Sequence, residues 1–263
     1  MQKVNRSPWQ RIKPWLILLV VVLIYIWAFS GVDLSSIKET AGEVTRSIFS
    51  GLFHPDWSYV HTGDGEDLIN ALVETLAIAF LGTFFSAFLS VPFAFFAAHT
   101  KRGLNVRSSI GKFILTVIRV FPEIVLALMF IKAVGPGAYA GVLAVSIHSI
   151  GMLGKLFSES IEDIDRGPNE AIVAAGGSSL DSLTLATIPA VLPAFMNYTL
   201  YRFEIAVRSA SILGIVGAGG IGAPLIFALQ TRNWSRVGII LLGIIVMVTV
   251  IDYVSGQIRK RLV

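Results

Sequence analysis

The chain has 263 residues, of which 54% are hydrophobic and only 14% charged, against about 25% charged in an average soluble domain. That balance excludes a water-soluble globular enzyme, and the absence of cysteine excludes disulfides and thiolate metal sites. The net charge of +4 is small and sits in the loops, so nucleic acid is not implied as a partner.

A helix needs about 20 mostly apolar residues to cross a hydrocarbon core ~30 Å thick. Six stretches qualify, at 14–32, 68–98, 110–133, 138–157, 188–213 and 237–254. None alternates polar and apolar residues as the ~10-residue strands of a membrane β-barrel do, so helices must satisfy the backbone in lipid. The expected fold class is an all-α polytopic membrane protein.

The first stretch is uncharged from Pro14 to Val32 and follows Lys3, Arg6, Arg11 and Lys13. It is longer than the ~7–15-residue apolar region of a signal peptide and no small-x-small cleavage site follows Ser30, so it reads as a span. The expected organisation is a cytoplasmic N-terminus and first span over 1–35, an extracytoplasmic loop over 36–67, and a membrane core over 68–263. Residues 33–67 hold seven acidic and two basic residues with His54, Trp57, Tyr59 and His61, a mixture that fits a docking loop, a lipid-surface segment or a connector equally well.

Orientation follows from lysine and arginine, which stay cytoplasmic in short loops. Segments 1–13, 99–112, 155–181 and 255–263 hold thirteen basic residues; loops 33–67, 134–137 and 214–236 hold four. Both termini are expected inside, in a multi-pass protein.

An ionisable group at mid-bilayer costs ~2.5–3.5 kcal/mol even on the lenient insertion scale, so each needs a partner or a wet cavity. The third span carries Arg119 and Glu123 around Pro122; the fifth carries Arg202, Glu204 and Arg208. The four-residue spacing of Arg119 with Glu123 and of Glu204 with Arg208 puts each pair on one face of a continuous helix. They read either as self-neutralising intrahelical pairs or as arginines facing a polar cavity, where a planar fork of donors suits an oxyanion. Glu74 and Asp252 fall near span ends and read as interfacial. His148, in the fourth span, reads as a neutral histidine donating to a nearby carbonyl or as a ligand contact. Gly141, Ala144, Ser149, Gly151 and Gly154 share its span and allow close helix approach.

Residues 217–222, GAGGIG, match the dinucleotide pattern G-x-G-x-x-G by letter. The required strand, following helix and acidic residue ~20 positions on are missing, so the pattern is rejected. Five glycines from Gly214 to Gly222 instead predict a helix break, which at membrane depth is tolerated where it is buried or lines a path. Gly217, Gly219 and Gly220 are therefore candidates for a gate, with Pro224 restarting a short segment that ends by Arg232.

Between the fourth and fifth spans lies EAIVAAGGSSLDSLTLATIP (170–189), polar and placed on the inner side by the charge count. Gly167 and Pro168 turn the chain into a short helix, Glu170 suits its N-terminus, and Gly176 with Gly177 ends it before a second helix starts at Ser178 or Ser179.

Glu170, Ala171, Gly176 and Pro189 fall at the spacing of the cytoplasmic coupling loop of ATP-binding-cassette import permeases, with Ile172, Ala186 and Ile188 departing from its usual residues. Adding RVFPEIVLALMF (119–130), GPGAYAGVLAVSIHSIGMLGKLFSESIEDIDRGPNEA (135–171), YRFEIAVRSASILGIVGAGGIG (201–222) and DYVSGQIRKRL (252–262), the chain resembles the permease subunit of a phosphonate-type importer of the type I fold. Ala206 stands where that group usually has Asn.

The resemblance implies a permease without a nucleotide site, consistent with the lack of G-x-x-x-x-G-K-[ST]. It carries no cofactor of its own; ATP and Mg are bound by partner subunits. Two ATPase subunits would dock on the coupling loop, about 162–189, through Gly167, Pro168, Glu170, Ala171 and Gly176. A second copy would complete the path, as a homodimer in a bacterial inner membrane, and an extracytoplasmic substrate-binding protein would deliver a small phosphorus oxyanion such as phosphonate, phosphite or hypophosphite. Arg119, Glu123, His148, Arg202, Glu204 and Arg208 are the candidates for the path. The competing readings are an importer of another small solute, an ion-coupled secondary transporter using Glu123 and Glu204, and a membrane enzyme, for which no H-E-x-x-H or G-x-S-x-G is present.

Overall fold

The structure, a computed structural model, describes residues 8–30, 41–63, 65–99 and 106–262. The chain divides into two units, residues 1–48 and 49–263. In the first, α1 (Pro8–Ser30) contains a stretch, Lys13–Ser30, uncharged after Lys13 and long and apolar enough to cross a membrane. The boundary falls within α2 (Ala41–Phe53), a helix that begins with Glu43 in its first turn. A short 3-10 turn, Trp57–Val60, follows it. Sequence reading assigned no helix to this stretch.

The second unit holds the remaining spans. α3 (Leu68–Ala97), α6 (Ala138–Asp163), α9 (Ile188–Leu213) and α11 (Trp234–Leu262) are continuous, and with α1 they match five of the six expected spans. The sixth differs. The stretch 110–133 is two helices, α4 (Val106–Val120) and α5 (Glu123–Val134), bent by 79° at Phe121 and Pro122. Proline lacks the N–H that would continue α4 and biases the preceding residue away from helical geometry, so the span breaks rather than kinks.

α3 and α6 form the axis of the bundle. Along α3 most buried positions are small, Thr75, Ala79, Gly82, Thr83, Ser86, Ser90, Ala94 and Ala97, with Leu68 and Ile78 the large exceptions, and this brings α6 close. α6 answers with Ala140, Gly141, Ala144 and Ser149. On its other side Gly151 receives the last turn of α4, and a Cβ there would lie 2.8 Å from the Arg119 backbone nitrogen. The main core joins α3, α5, α6 and α9 through Ile78, Ala127, Val145, Val207 and Ala210, and a second core joins α3 to α11 through Leu68, Val237 and Ile240.

At one end of the unit, α6 leads into α7 (Gly167–Ala174), α8 (Ser179–Ser182) and a π turn, Leu183–Thr187, from which α9 rises. Toward the other end, α9 gives way to a 3-10 turn at Gly214–Val216 and a glycine loop, and α10 (Gly222–Gln230) leads back to α11. The helix restarts at Gly222, two residues before Pro224, because the Ile221 N–H is already held by Thr75 Oγ1 at 2.8 Å.

Candidate functional site

Three groups of residues singled out in the sequence come together at three levels of the second unit. The deepest surrounds the α4–α5 break. Glu123 is the first residue of α5, where a carboxylate suits the positive end of the helix dipole, and Arg119 lies in the last turn of α4, where a cation suits the negative end. The break separates them, so they do not form the expected pair on one face. Glu123 Oε1 instead takes Arg202 Nη2 from α9 at 3.3 Å; Arg202 is 2% exposed and Glu123 12%. Arg202 Nε also donates to the buried Ser149 hydroxyl of α6 at 2.6 Å. Next to Ser149, His148 Nδ1 donates to the Phe121 carbonyl at 3.1 Å, one of the backbone groups freed by the break. This is the carbonyl-bound histidine expected from the sequence. Arg119 itself is exposed. The break therefore brings Arg202, Glu123 and His148 together across α5, α6 and α9 through hydrogen bonds, with Arg119 exposed at the end of α4.

The second expected intrahelical pair also gives way to cross-helix contacts. Arg208 grips Asp252 of α11 with both carboxylate oxygens within 2.7 Å, and Glu204 lies 2.8 Å from Arg259 of α11. Asp252, read as interfacial, is thus the partner of Arg208. The sequence offered no register between α9 and α11 from which to read these partners.

The glycine loop forms the second group. Thr75, which holds its Ile221 amide, lies seven residues into α3, or ~10 Å below the start of that helix at 1.5 Å per residue. The loop thus packs against α3 below its first turn, and Gly217, Gly219 and Gly220 all have positive φ. At Gly219, with φ +81°, an added Cβ would lie 2.7 Å from the Ala138 backbone and 2.8 Å from Glu74 Oε1. Glycine is required there both by conformation and by space. Above the loop opens a cavity of about 720 Å³ whose wall includes Glu66, Asp67, Asn70, Glu74, Arg236 and Tyr59. Asp67 caps α3 by accepting the Asn70 amide at 2.9 Å and meets His61 Nδ1 at 2.9 Å. The Asn70 amide and, secondarily, His61 hold its carboxyl below the usual carboxylate range. Arg236 lies over the Tyr59 ring, 4.4 Å from its centroid. Glu74, read as interfacial, therefore faces the glycine loop.

The third group is the loop between α6 and α9. Pro168 stands in the first turn of α7 and Glu170 follows it, as expected for a helix start. α7 stops at Ala174, and Gly176, with φ +88°, reverses the chain. Nothing lies within 4 Å of where a Gly176 Cβ would be, so that side is open. Ser178 caps α8 in a capping box with Asp181, whose carboxyl the Ser178 hydroxyl and N–H hold below the usual range. Val173, Leu180 and Leu185 are exposed apolar side chains on the same segment. Gly167, Ala171 and Glu170 are exposed as well. Asn169, not singled out in the sequence, is the one part-buried polar residue of α7: its Oδ1 accepts from Ser182 Oγ at 2.8 Å and Thr187 Oγ1 at 3.2 Å.

Residues 90–263 match the model of the family described as binding-protein-dependent transport system inner membrane component. The phosphite transport system permease protein PtxC of Stutzerimonas stutzeri is 36% identical over 260 residues, covering 96% of this chain and 90% of that protein. The phosphate-import permease protein PhnE of Mycolicibacterium smegmatis is 38% identical over 216 residues, covering 82% of this chain and 40% of that protein. Among solved structures, the inward-facing MetNI methionine ABC transporter superposes with a TM-score of 0.64 at 20% identity, covering 74% of this chain and 96% of that one. The likeness in fold lies in a helical permease bundle of the type I importer kind. The chain belongs to the family of binding-protein-dependent inner membrane transport components, the permease subunits of ATP-binding-cassette importers, whose members are transport proteins rather than enzymes.

Proposed function

We propose that this chain is the membrane subunit of an ATP-driven importer of a small phosphorus oxyanion, phosphite or a phosphonate. The observation that carries the substrate class is the end-to-end similarity to a phosphite permease, 96% of this chain against 90% of that protein. Two copies line the path, and the termini and the α7–α8 segment lie in the cytoplasm, where the exposed Val173, Gly176 and Leu180 meet an ATPase that binds ATP and Mg. An external binding protein docks over the glycine loop.

The arrangement of charge supports this division of labour. The cavity above the glycine loop sets Glu66, Asp67 and Glu74 against Arg236, so a free oxyanion does not partition into it from solution and must be released there by a receptor. Deeper in, Arg202 meets the carboxylate of Glu123 at the α4–α5 break, with His148 on the Phe121 carbonyl and Arg119 exposed at the end of α4. An arginine fork suits the paired oxygens of phosphite. An ion-coupled carrier needs a carboxylate free to lose and regain its ion. Glu123 and Glu204 are each engaged by an arginine, which favours the motor-driven reading.

The test is reconstitution in proteoliposomes with the cognate ATPase and binding protein. Radiolabelled phosphite or methylphosphonate should accumulate only with ATP inside the ATPase-accessible compartment and with binding protein on the opposite side. Uptake by the permease alone, or no uptake of any phosphorus oxyanion by the full complex, would overturn the proposal.

A further inference from the structure

The motor-facing helix and the helix that reaches the path are not continuous. Between α7 and the continuous helical run Ser179–Val216 that contains α8, the π turn and α9 stands the Gly176 reversal, and the capping box of Ser178 with Asp181 closes only on itself. A push on the exposed side of α7 would dissipate in this joint unless something bridged it. One side chain does. Asn169, half-buried and one turn before exposed Val173 on the same side of α7, accepts through its single oxygen hydroxyl bonds from Ser182, the last residue of α8, and Thr187, the last residue of the π turn. The Ile188 N–H donates to the Leu183 carbonyl five residues back, the wide geometry that recurs at functional positions in helices.

From Thr187 the chain runs as one 26-residue helix to Leu213 and carries Arg202, fixed to Glu123 and Ser149 at the α4–α5 break. The polar contacts thus form a sequence from the dock to the path: α7, Asn169, the π turn, α9, Arg202 and the break.

We propose that Asn169 is the positioning residue that carries displacement of α7 into α9, by clasping both ends of the π turn with one acceptor. The inference rests on the ATP-driven reading above. It gives Asn169 no contact with the substrate and none with the ATPase.

The experiment uses the full complex in proteoliposomes, and the quantity read is phosphite imported per ATP hydrolysed. Asn169→Ala should lower that ratio at least about fivefold, the scale of losing two net hydroxyl–amide bonds, while the ATPase remains bound and active. Asn169→Asp, which keeps an acceptor oxygen in place, should restore it. The Ser182→Ala, Thr187→Val pair should reproduce Asn169→Ala, and adding Asn169→Ala to that pair should change nothing more, because the contact has already gone. A role confined to loop stability would lower assembly and leave the ratio of surviving complexes intact. If Asn169→Ala does not assemble, the Ser182 and Thr187 pair decides alone. An unchanged ratio in the assembled variants, or equal failure of Asn169→Asp and Asn169→Ala, would overturn the clasp. Wild type without ATP-driven phosphite uptake would instead overturn the proposed function, so the two failures are distinct.

Discussion

Replacing Glu123 by leucine isolates the energetics of the α4–α5 break. Arg202 is 2% exposed and its Nη2 lies 3.3 Å from Glu123 Oε1. At an effective dielectric of ~20 two unit charges at that separation attract by ~5 kcal/mol, offset by the cost of taking both out of water. Removing only the carboxylate leaves the guanidinium with the Ser149 hydroxyl and no counter-charge. Breaking a buried pair from one side costs ~3–5 kcal/mol. At about 2–4 °C per kcal/mol for a chain of this size, the thermal midpoint of the detergent-purified protein should fall by roughly 10 °C. Replacing both partners, Glu123→Leu with Arg202→Met, removes the charge together with its need for a partner and should return the midpoint to within a few degrees of wild type. Heating followed by size-exclusion chromatography with fluorescence detection measures all three. A single variant as stable as wild type, or a double variant as unstable as the single, would refute the buried pair.

The other predictions concern the two ends of the bundle. Gly219→Ala places a Cβ 2.7 Å from the Ala138 backbone at a φ of +81°, and overpacking of this kind should destabilise by ~1–3 kcal/mol, read as a lowered midpoint in the same assay. Gly176→Val meets no atom within 4 Å but forces a β-branched residue to φ +88°, a strain of ~1–3 kcal/mol that should lower the midpoint by a few degrees and displace the reversal beside α7, so that phosphite imported per ATP falls at least about tenfold. Full import in that variant would remove Gly176 from the dock. The Asp67 carboxyl is held below its ordinary value, so its cap of α3 is fully present above about pH 4 and is lost as the pH falls through the depressed folded value. Hydrogen exchange at the Asn70 amide should accelerate over that acidic range beyond the intrinsic rate, and Asp67→Ala should show the fast rate at neutral pH.

Hydropathy made most of this fold legible, because lipid forces each span to be a long apolar helix. Five spans matched within a few residues at most ends. The third did not, since an apolar run across Pro122 reads the same whether the helix bends or stops, and the packing of α4 and α5 on α6 that sets the 79° turn is not written in it. The same limit hid the ion pairs. Four-residue spacing is visible in the chain, whereas the register of α9 against α5 and α11, which gives Arg202 to Glu123 and Arg208 to Asp252, is not. Glycine positions were more informative: the positive φ at Gly176 and Gly217 to Gly220 follows from local chemistry, and the structure places these bends where the glycines are. Asn169 carried no signal beyond its neighbours, because its role depends on the π turn eighteen residues later. α2 was missed since its 13 residues have neither the length nor the hydropathy of a span.

The bent span also sets an order of events during synthesis. α5 has 12 residues, ~18 Å of helix, too short to cross alone, and the carboxylate at its tip finds its guanidinium 79 residues later in the chain. At ribosomal speeds of ~5–20 residues per second, Glu123 waits several seconds before Arg202 exists. During that interval the nascent half-span has no stable resting place in hydrocarbon. It must be sheltered by the insertion machinery or remain in the headgroup layer until α6 and α9 enter beside it, so a chain released before Arg202 is one that quality control can recognise.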